Sequence, residues 1–219
     1  YGHTSYKLTF RQAAHELGVI CKYKIIISII SSDYIRRNDL KHSKVLIDRS
    51  EVSAEWVGKQ IALADAVGKN DIKKIISFHP RISNATEFVG NSESSIQHRL
   101  KGFKLFTVSS KQSAEERRLN MKSFRHADNA LISNAQCLNE GVDVPAVDMV
   151  AFMHPKRNTV SIVQATGRAI RKPRGSKKEL GYLFVPIFLE KKAGETDFEA
   201  AQRSNFKDLY EVINALREH

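Results

Sequence analysis

Val163-Gln164-Ala165-Thr166-Gly167-Arg168-Ala169-Ile170-Arg171 sets a glutamine and two arginines at fixed spacing around a glycine. Residues 160–170 have the composition of a helix, which puts Gln164, Arg168 and Arg171 on one side at i, i+4 and i+7. Guanidinium groups offer bidentate hydrogen bonds to phosphate oxygens and stay charged at any working pH, so convergent arginines suit a polyphosphate. Gly167, without a side chain, lets another backbone approach closely. A plain basic surface helix would account for the arginines. It would leave unexplained Gln164, Gly167 and the companion string upstream, Asn139-Glu140-Gly141-Val142-Asp143-Val144-Pro145.

That companion follows Ala130-Leu131-Ile132-Ser133, which reads as a buried strand. In parallel α/β sheets ligands bind beyond the strand C-termini, where Ser133, Asn134 and Gln136 are placed. The Asp143 carboxylate can accept hydrogen bonds from a ribose hydroxyl, hold an arginine, or cap the turn before Pro145. The residues alone do not choose among these. Gly141 serves the backbone conformation in either case.

The 219 residues suffice for one α/β domain with a sizeable core, and the net charge of +11 favours an acidic partner, most simply nucleic acid. No apolar run approaches the roughly 20 residues that span a bilayer, so no membrane is expected. Cys21 and Cys137 are far apart and lack metal-ligand spacing, which predicts reduced thiols, a cytoplasmic location and no metal site. Strands are predicted at residues 23–30, 73–78, 105–108, 130–133, 149–152 and 182–186, with helices over 57–67 and 114–124. Leu119, Met121 and Phe124 are the apolar members of the second helix. Phe206, Leu209, Tyr210, Ile213 and Leu216 form a further apolar stripe. Alternating strands and helices give an α/β fold with a parallel sheet flanked by helices on both faces. Tyr1 in place of methionine suggests a piece of a longer protein, with residues 1–16 an incoming segment from a missing upstream lobe and 17–219 the domain.

Taken together these strings resemble superfamily 2 helicases, in their second, C-terminal RecA-like lobe. Lys74-Ile75-Ile76-Ser77-Phe78-His79 is similar to motif IV, 139–145 to motif V and 164–171 to motif VI, in the family's order. Glu116-Arg117 through Phe124 resembles the segment between motifs IV and V. The Glu-Gly-Val-Asp-Val-Pro form of motif V, and glutamine rather than histidine opening motif VI, bring the chain nearer to type I and type III restriction translocating subunits than to DEAD-box RNA helicases. The resemblance implies a RecA-like fold of the P-loop NTPase kind without its own phosphate loop. It implies ATP with Mg2+, bound mainly by an N-terminal RecA-like lobe that these residues lack. Arg168 and Arg171 would act on the ATP phosphates, while Gln164, Gly141, Asp143 and Gly167 contact the nucleotide or couple its state to lobe closure. Ser77, His79, Arg81, Ser133 and Asn134 would line the nucleic-acid path, touching backbone rather than bases. Ala165 departs from the pattern, standing where many relatives carry an arginine.

The basic loop after motif VI, with Lys172, Arg174, Lys177 and Lys178, reads as a grip on a phosphate backbone. Its partner is expected to be DNA in preference to RNA, from the restriction-like motif forms. Gly68-Lys69-Asn70-Asp71 lacks the upstream glycine of a phosphate loop, and no acidic strand end is present to hold magnesium. The expectation is half of a composite ATPase, inactive alone. The competing class is a non-catalytic nucleic-acid-binding scaffold with the same fold. A nucleotide-binding transferase would need a Gly-rich turn after its first strand, where Ile29-Ile30-Ser31-Ser32-Asp33 offers none.

Overall fold

Six β-branched runs become strands: β1 (Lys22–Ser31), β2 (Lys74–His79), β3 (Lys104–Ser109), β4 (Ala130–Ala135), β5 (Met149–Phe152) and β6 (Leu180–Leu189). The computed structural model describes residues 12–17, 20–31, 54–92, 94–135, 147–153, 166–167, 171–172, 178–189, 192, 194–196 and 198–200. All strands pair in parallel, in the order β1-β6-β5-β2-β4-β3. Each predicted strand is present. Three helices are described: α1 (Ala54–Lys69), α2 (Ile82–Val89) and α3 (Ala114–His126). Sequence periodicity found α1 and α3 but not α2, whose eight residues bury only Ala85 and Phe88.

A parallel sheet is apolar on both faces because crossover helices cover each. Here Ile75, Leu131, Met149 and Phe184 point to one face, where Val57 and Ile61 of α1 and Phe88 of α2 close over them. Their strand neighbours Ile76, Ile132, Val150 and Leu183 point to the other, against Met121 and Phe124 of α3. Full burial of each such side chain stabilises by roughly 1.5–3 kcal/mol, so the alternation itself fixes strand register. Leu119 departs from the predicted apolar stripe of α3. It is 49% exposed, because Met121 and Phe124 already define the buried side.

Gly68 lies within α1, and Asp71 just beyond takes φ 48°, so this segment ends a helix rather than wrapping a phosphate. Among the described residues no helix is long and apolar enough to cross a membrane. The apolar stripe of 206–216 and Cys137 lie outside the described residues, whereas Cys21 is a buried free thiol.

Candidate nucleic-acid and nucleotide surfaces

Parallel pairing carries the ends of the motif IV strand and of the strand that precedes motif V to one edge of the sheet. β2 and β4 run in register, with Ser77 opposite Ser133, Phe78 opposite Asn134 and His79 opposite Ala135. Ser133 Oγ donates to the carbonyl of Ala85 in α2 at 2.8 Å. His79 Nε2 lies 3.1 Å from Ser77 Oγ, and its ring packs on Phe88 at 4.7 Å and Trp56 at 5.9 Å. Ser77, Ser133 and Asn134 are fully buried and His79 nearly so. These four therefore build and brace a ledge instead of presenting side chains to solvent. Arg81 is different: it is exposed, at the N-cap position of α2 in extended conformation, and makes no side-chain cap bond. The first amides of α2 and a guanidinium thus share one turn, a pairing suited to anions.

Trp56 is the residue that sequence reasoning missed here. It comes from the start of α1, yet its ring also packs edge-on against Phe88 at 5.6 Å. It thereby ties α1 to the β2–α2 turn. A single tryptophan in an amphipathic helix gave no signal of that contact.

Motif VI is found in part. Thr166 and Gly167 are helical, with Thr166 fully buried and Gly167 half-buried. Arg171 is not on that helix. It forms an isolated antiparallel bridge with Ile20, just before β1, so helical spacing does not set the direction of its side chain. The bridge lies beyond the N-terminal ends of the strands, since Lys22 at the start of β1 pairs with Leu180 at the start of β6. Arg171 and Lys172, both exposed, are therefore on the opposite edge of the sheet from Ser77, His79 and Arg81. Six strand residues at about 3.3 Å each put roughly 20 Å between the two edges. Lys172, expected to grip a phosphate backbone, consequently lies apart from the ledge residues. Gln164, Arg168, Gly141, Asp143 and Arg174 lie outside the described residues.

Lys178 needs a correction. Its ammonium donates to the carbonyl of Val147 and is largely withdrawn from solvent, so it is a structural lysine rather than part of a grip on a phosphate backbone. Burial pushes its pKa down, with Cys21 and Asp148 opposing. Beside it, burial pushes the Cys21 thiol up, against the ammonium groups of Lys178 and Lys172. The Cys21 Sγ faces the Lys178 carbonyl at 3.5 Å.

A family model described as the helicase conserved C-terminal domain matches residues 58–173. Comparison with curated proteins by sequence gave no match. Among solved structures, the ATP-dependent type ISP restriction-modification enzyme LlaBIII bound to DNA superposes with a TM-score of 0.76 at 23% identity, over 97% of this chain and 15% of that one. A DEAD box protein from the hyperthermophile Methanococcus jannaschii gives 0.54 at 17% identity, over 94% and 42%. The C-terminal domain of the DEAD-box protein Dbp5 gives 0.52 at 16%, over 91% and 85%. At these identities the likeness establishes the fold, which is RecA-like. The chain spans 15% of the restriction enzyme's length.

Proposed function

The chain belongs to the helicase conserved C-terminal domain family, and from that premise we propose that it is the second RecA-like lobe of an ATP-dependent superfamily 2 helicase or translocase acting on DNA. The observation that carries this reading is the separation of two basic sites: Arg81 at one edge of the sheet, Arg171 with Lys172 at the other. One lobe can then hold a nucleic-acid backbone at one edge and face a nucleotide at the other. DNA is preferred over RNA on the restriction-like motif forms and the greater likeness to DNA-bound LlaBIII.

The residues present fit a phosphate group, because an exposed arginine and lysine stand side by side at Arg171 and Lys172. Bound ATP supplies the phosphoanhydride whose cleavage drives the cycle, with its Mg2+ held by carboxylates of the other lobe. This chain contributes charge and position. With ATP bound, Arg168 and Arg171 would act on its phosphates, Gln164 would couple nucleotide state to lobe closure, and Gly141, Asp143 and Gly167 would contact the nucleotide or the coupling network. Guanidinium groups placed there stabilise charge developing on the transferring phosphoryl group. On the opposite edge Arg81 and the α2 amides hold the nucleic-acid backbone, while Ser77, His79, Ser133 and Asn134 keep that turn in place. Lys172, beside Arg171, reaches nucleic acid only where its path wraps the lobe, and Arg174 of the same basic loop would add to that grip.

The test is nucleic-acid-stimulated ATP hydrolysis by the protein joined to its first lobe, wild type against Arg168→Ala and Arg171→Ala. Turnover is expected to fall about 10³-fold with ATP binding largely retained. Unaltered turnover removes these arginines from the active site. A two-lobed protein with no ATPase activity moves the reading to a nucleic-acid-binding scaffold. The isolated lobe is expected to be inactive.

A further inference from the structure

We propose that Lys178 is a positioning residue for Arg171, holding in place the strip of chain to which Arg171 is bridged. The inference rests on the reading of Arg171 as a residue that acts on ATP. Arg171 lies outside the named strands and joins the sheet through one antiparallel bridge, to Ile20. A single bridge supplies at most two backbone hydrogen bonds, so the place of Arg171 depends on what holds Ile20. Ile20 leads into β1, its side chain packs against the cluster under α3, and its amide donates to the carbonyl of Ala13 at 3.4 Å. The next two residues are held by the start of β6. The Lys22 amide donates to the Glu179 carbonyl at 3.0 Å. Cys21 Sγ faces the carbonyls of Lys178 at 3.5 Å and Arg171 at 3.9 Å. Residues 20–22 therefore join Arg171 to Lys178 and Glu179.

Lys178 anchors the far end of that link. Its ammonium donates to the carbonyl of the buried Val147, just before β5. The neighbouring Asp148 is tied to two other strands. Its Oδ2 accepts from the amides of Lys73 at 3.0 Å and Lys74 at 2.9 Å. Its own amide donates to the Lys74 carbonyl at 2.9 Å, and its carbonyl accepts from the Tyr182 amide at 2.8 Å. A lysine fixed at this point carries its backbone with it, and that backbone faces Cys21. One chain of contacts then runs from the start of β2 through Asp148, Val147, Lys178 and Cys21 to Arg171. A withdrawn ammonium persists only where acceptors and opposite charge offset its desolvation, as the Val147 carbonyl and Asp148 do here. Placement matters at such a site, because a shift of about 1 Å caused by a change remote from the chemistry can cost about 10²-fold in rate.

A double-mutant cycle in nucleic-acid-stimulated ATP hydrolysis by the two-lobed protein tests the link. Lys178→Met is expected to lower kcat at least about tenfold while KM for ATP changes less than about twofold. In an Arg171→Ala background the same substitution should change kcat less than about twofold, because nothing is left to position. Lys178→Arg, which keeps a charged donor, should restore most of the rate. An unaltered kcat in Lys178→Met, or an equal fall with and without Arg171, overturns the proposal and leaves Lys178 a stability residue only. Unchanged turnover in Arg171→Ala alone is a different failure: it removes Arg171 from the ATP site, and the proposal falls with that reading. A second measurement needs no ATPase activity. In hydrogen exchange followed by mass spectrometry, peptides containing residues 20–22 and 171–172 should exchange at least about tenfold faster in Lys178→Met than in wild type. Peptides from β3 and β4 should keep their protection. Unchanged exchange at 20–22 and 171–172 breaks the link. Where Lys178→Met does not fold, Lys178→Gln, with a shorter and neutral donor, takes its place in both experiments.

Discussion

Lys74 opens β2, and its ammonium crosses to the end of α3, donating to the carbonyls of Phe124 at 2.5 Å, Arg125 at 3.2 Å and Ala127. These are carbonyls a helix leaves without internal partners, so a cation here completes the C-terminus and meets the negative end of the helix dipole. Lys74→Met should cost about 1–3 kcal/mol, read as a lower urea midpoint, because two part-buried carbonyls and an exposed one lose their donor together. Burial lowers the Lys74 pKa, with Asp128 and Asp148 opposing. Cys21 gives the opposite sign. Its thiol is held above the ordinary value of 9.0 by burial. Above that pH the unfolded chain releases the proton while the native state keeps it, so the stability it contributes is lost as pH rises through the native value. Cys21→Ala should therefore show a smaller fall in urea midpoint between pH 8 and pH 10 than wild type. An equal fall in both proteins would assign the alkaline loss to other groups, Tyr23 first, whose pKa burial also raises. Neither role was legible beforehand. A lysine opening a strand and a lone cysteine look the same in sequence whether or not a carbonyl faces them.

At the outer strand β3, Gln112 acts in place of a neighbouring strand: its Oε1 accepts from the Ser109 amide at 3.0 Å and its Nε2 donates to the Thr107 carbonyl at 3.2 Å. A partner residue in a parallel ladder makes the same pair of bonds, to residues one before and one after its opposite number. Asn120 of α3 adds a third bond, to the Thr107 carbonyl at 3.0 Å. Gln112→Ala should cost about 1–2 kcal/mol and expose the β3 edge to self-association, seen as a rising weight-average mass in sedimentation. A variant that stays monomeric at high concentration would show that the edge is closed by other means. Long apolar runs made the strands readable, and in the structure a complete capping box of Ser113 and Glu116 starts α3. Helix α2 was not readable, because Ile82-Ser83-Asn84-Ala85-Thr86-Glu87-Phe88-Val89 carries too few apolar positions to show a period. Its place is fixed by contacts to β2, β3 and β4 instead.

For the whole molecule, the proposed function gives the two ends of the parallel sheet separate tasks. Arg81→Ala should weaken nucleic-acid binding by the two-lobed protein alike for all sequences and reduce the slope of log K against log salt by about one. Substitution of Arg171 should leave that slope unchanged while altering ATP turnover. A change of slope with Arg171→Ala, and none with Arg81→Ala, would reverse the assignment of the two edges.

The family, the α/β class, all six strands and the order of the motifs were determined by the sequence alone, because hydrophobic periodicity and short glycine- and arginine-bearing strings are local in the chain. Which residues share an edge was decided by the tertiary structure. Ser77 meets Ser133 only through strand register, and Trp56 meets His79 only because α1 lies over β2's end. Arg171 and Lys172 parted from the ledge residues because the Ile20 bridge holds them at the strand N-termini. Sequence patterns carry the face on which a side chain lies, through periods of 2 and 3.6. The end of the sheet at which it lies depends on chain direction and crossover, and only the folded molecule contains those.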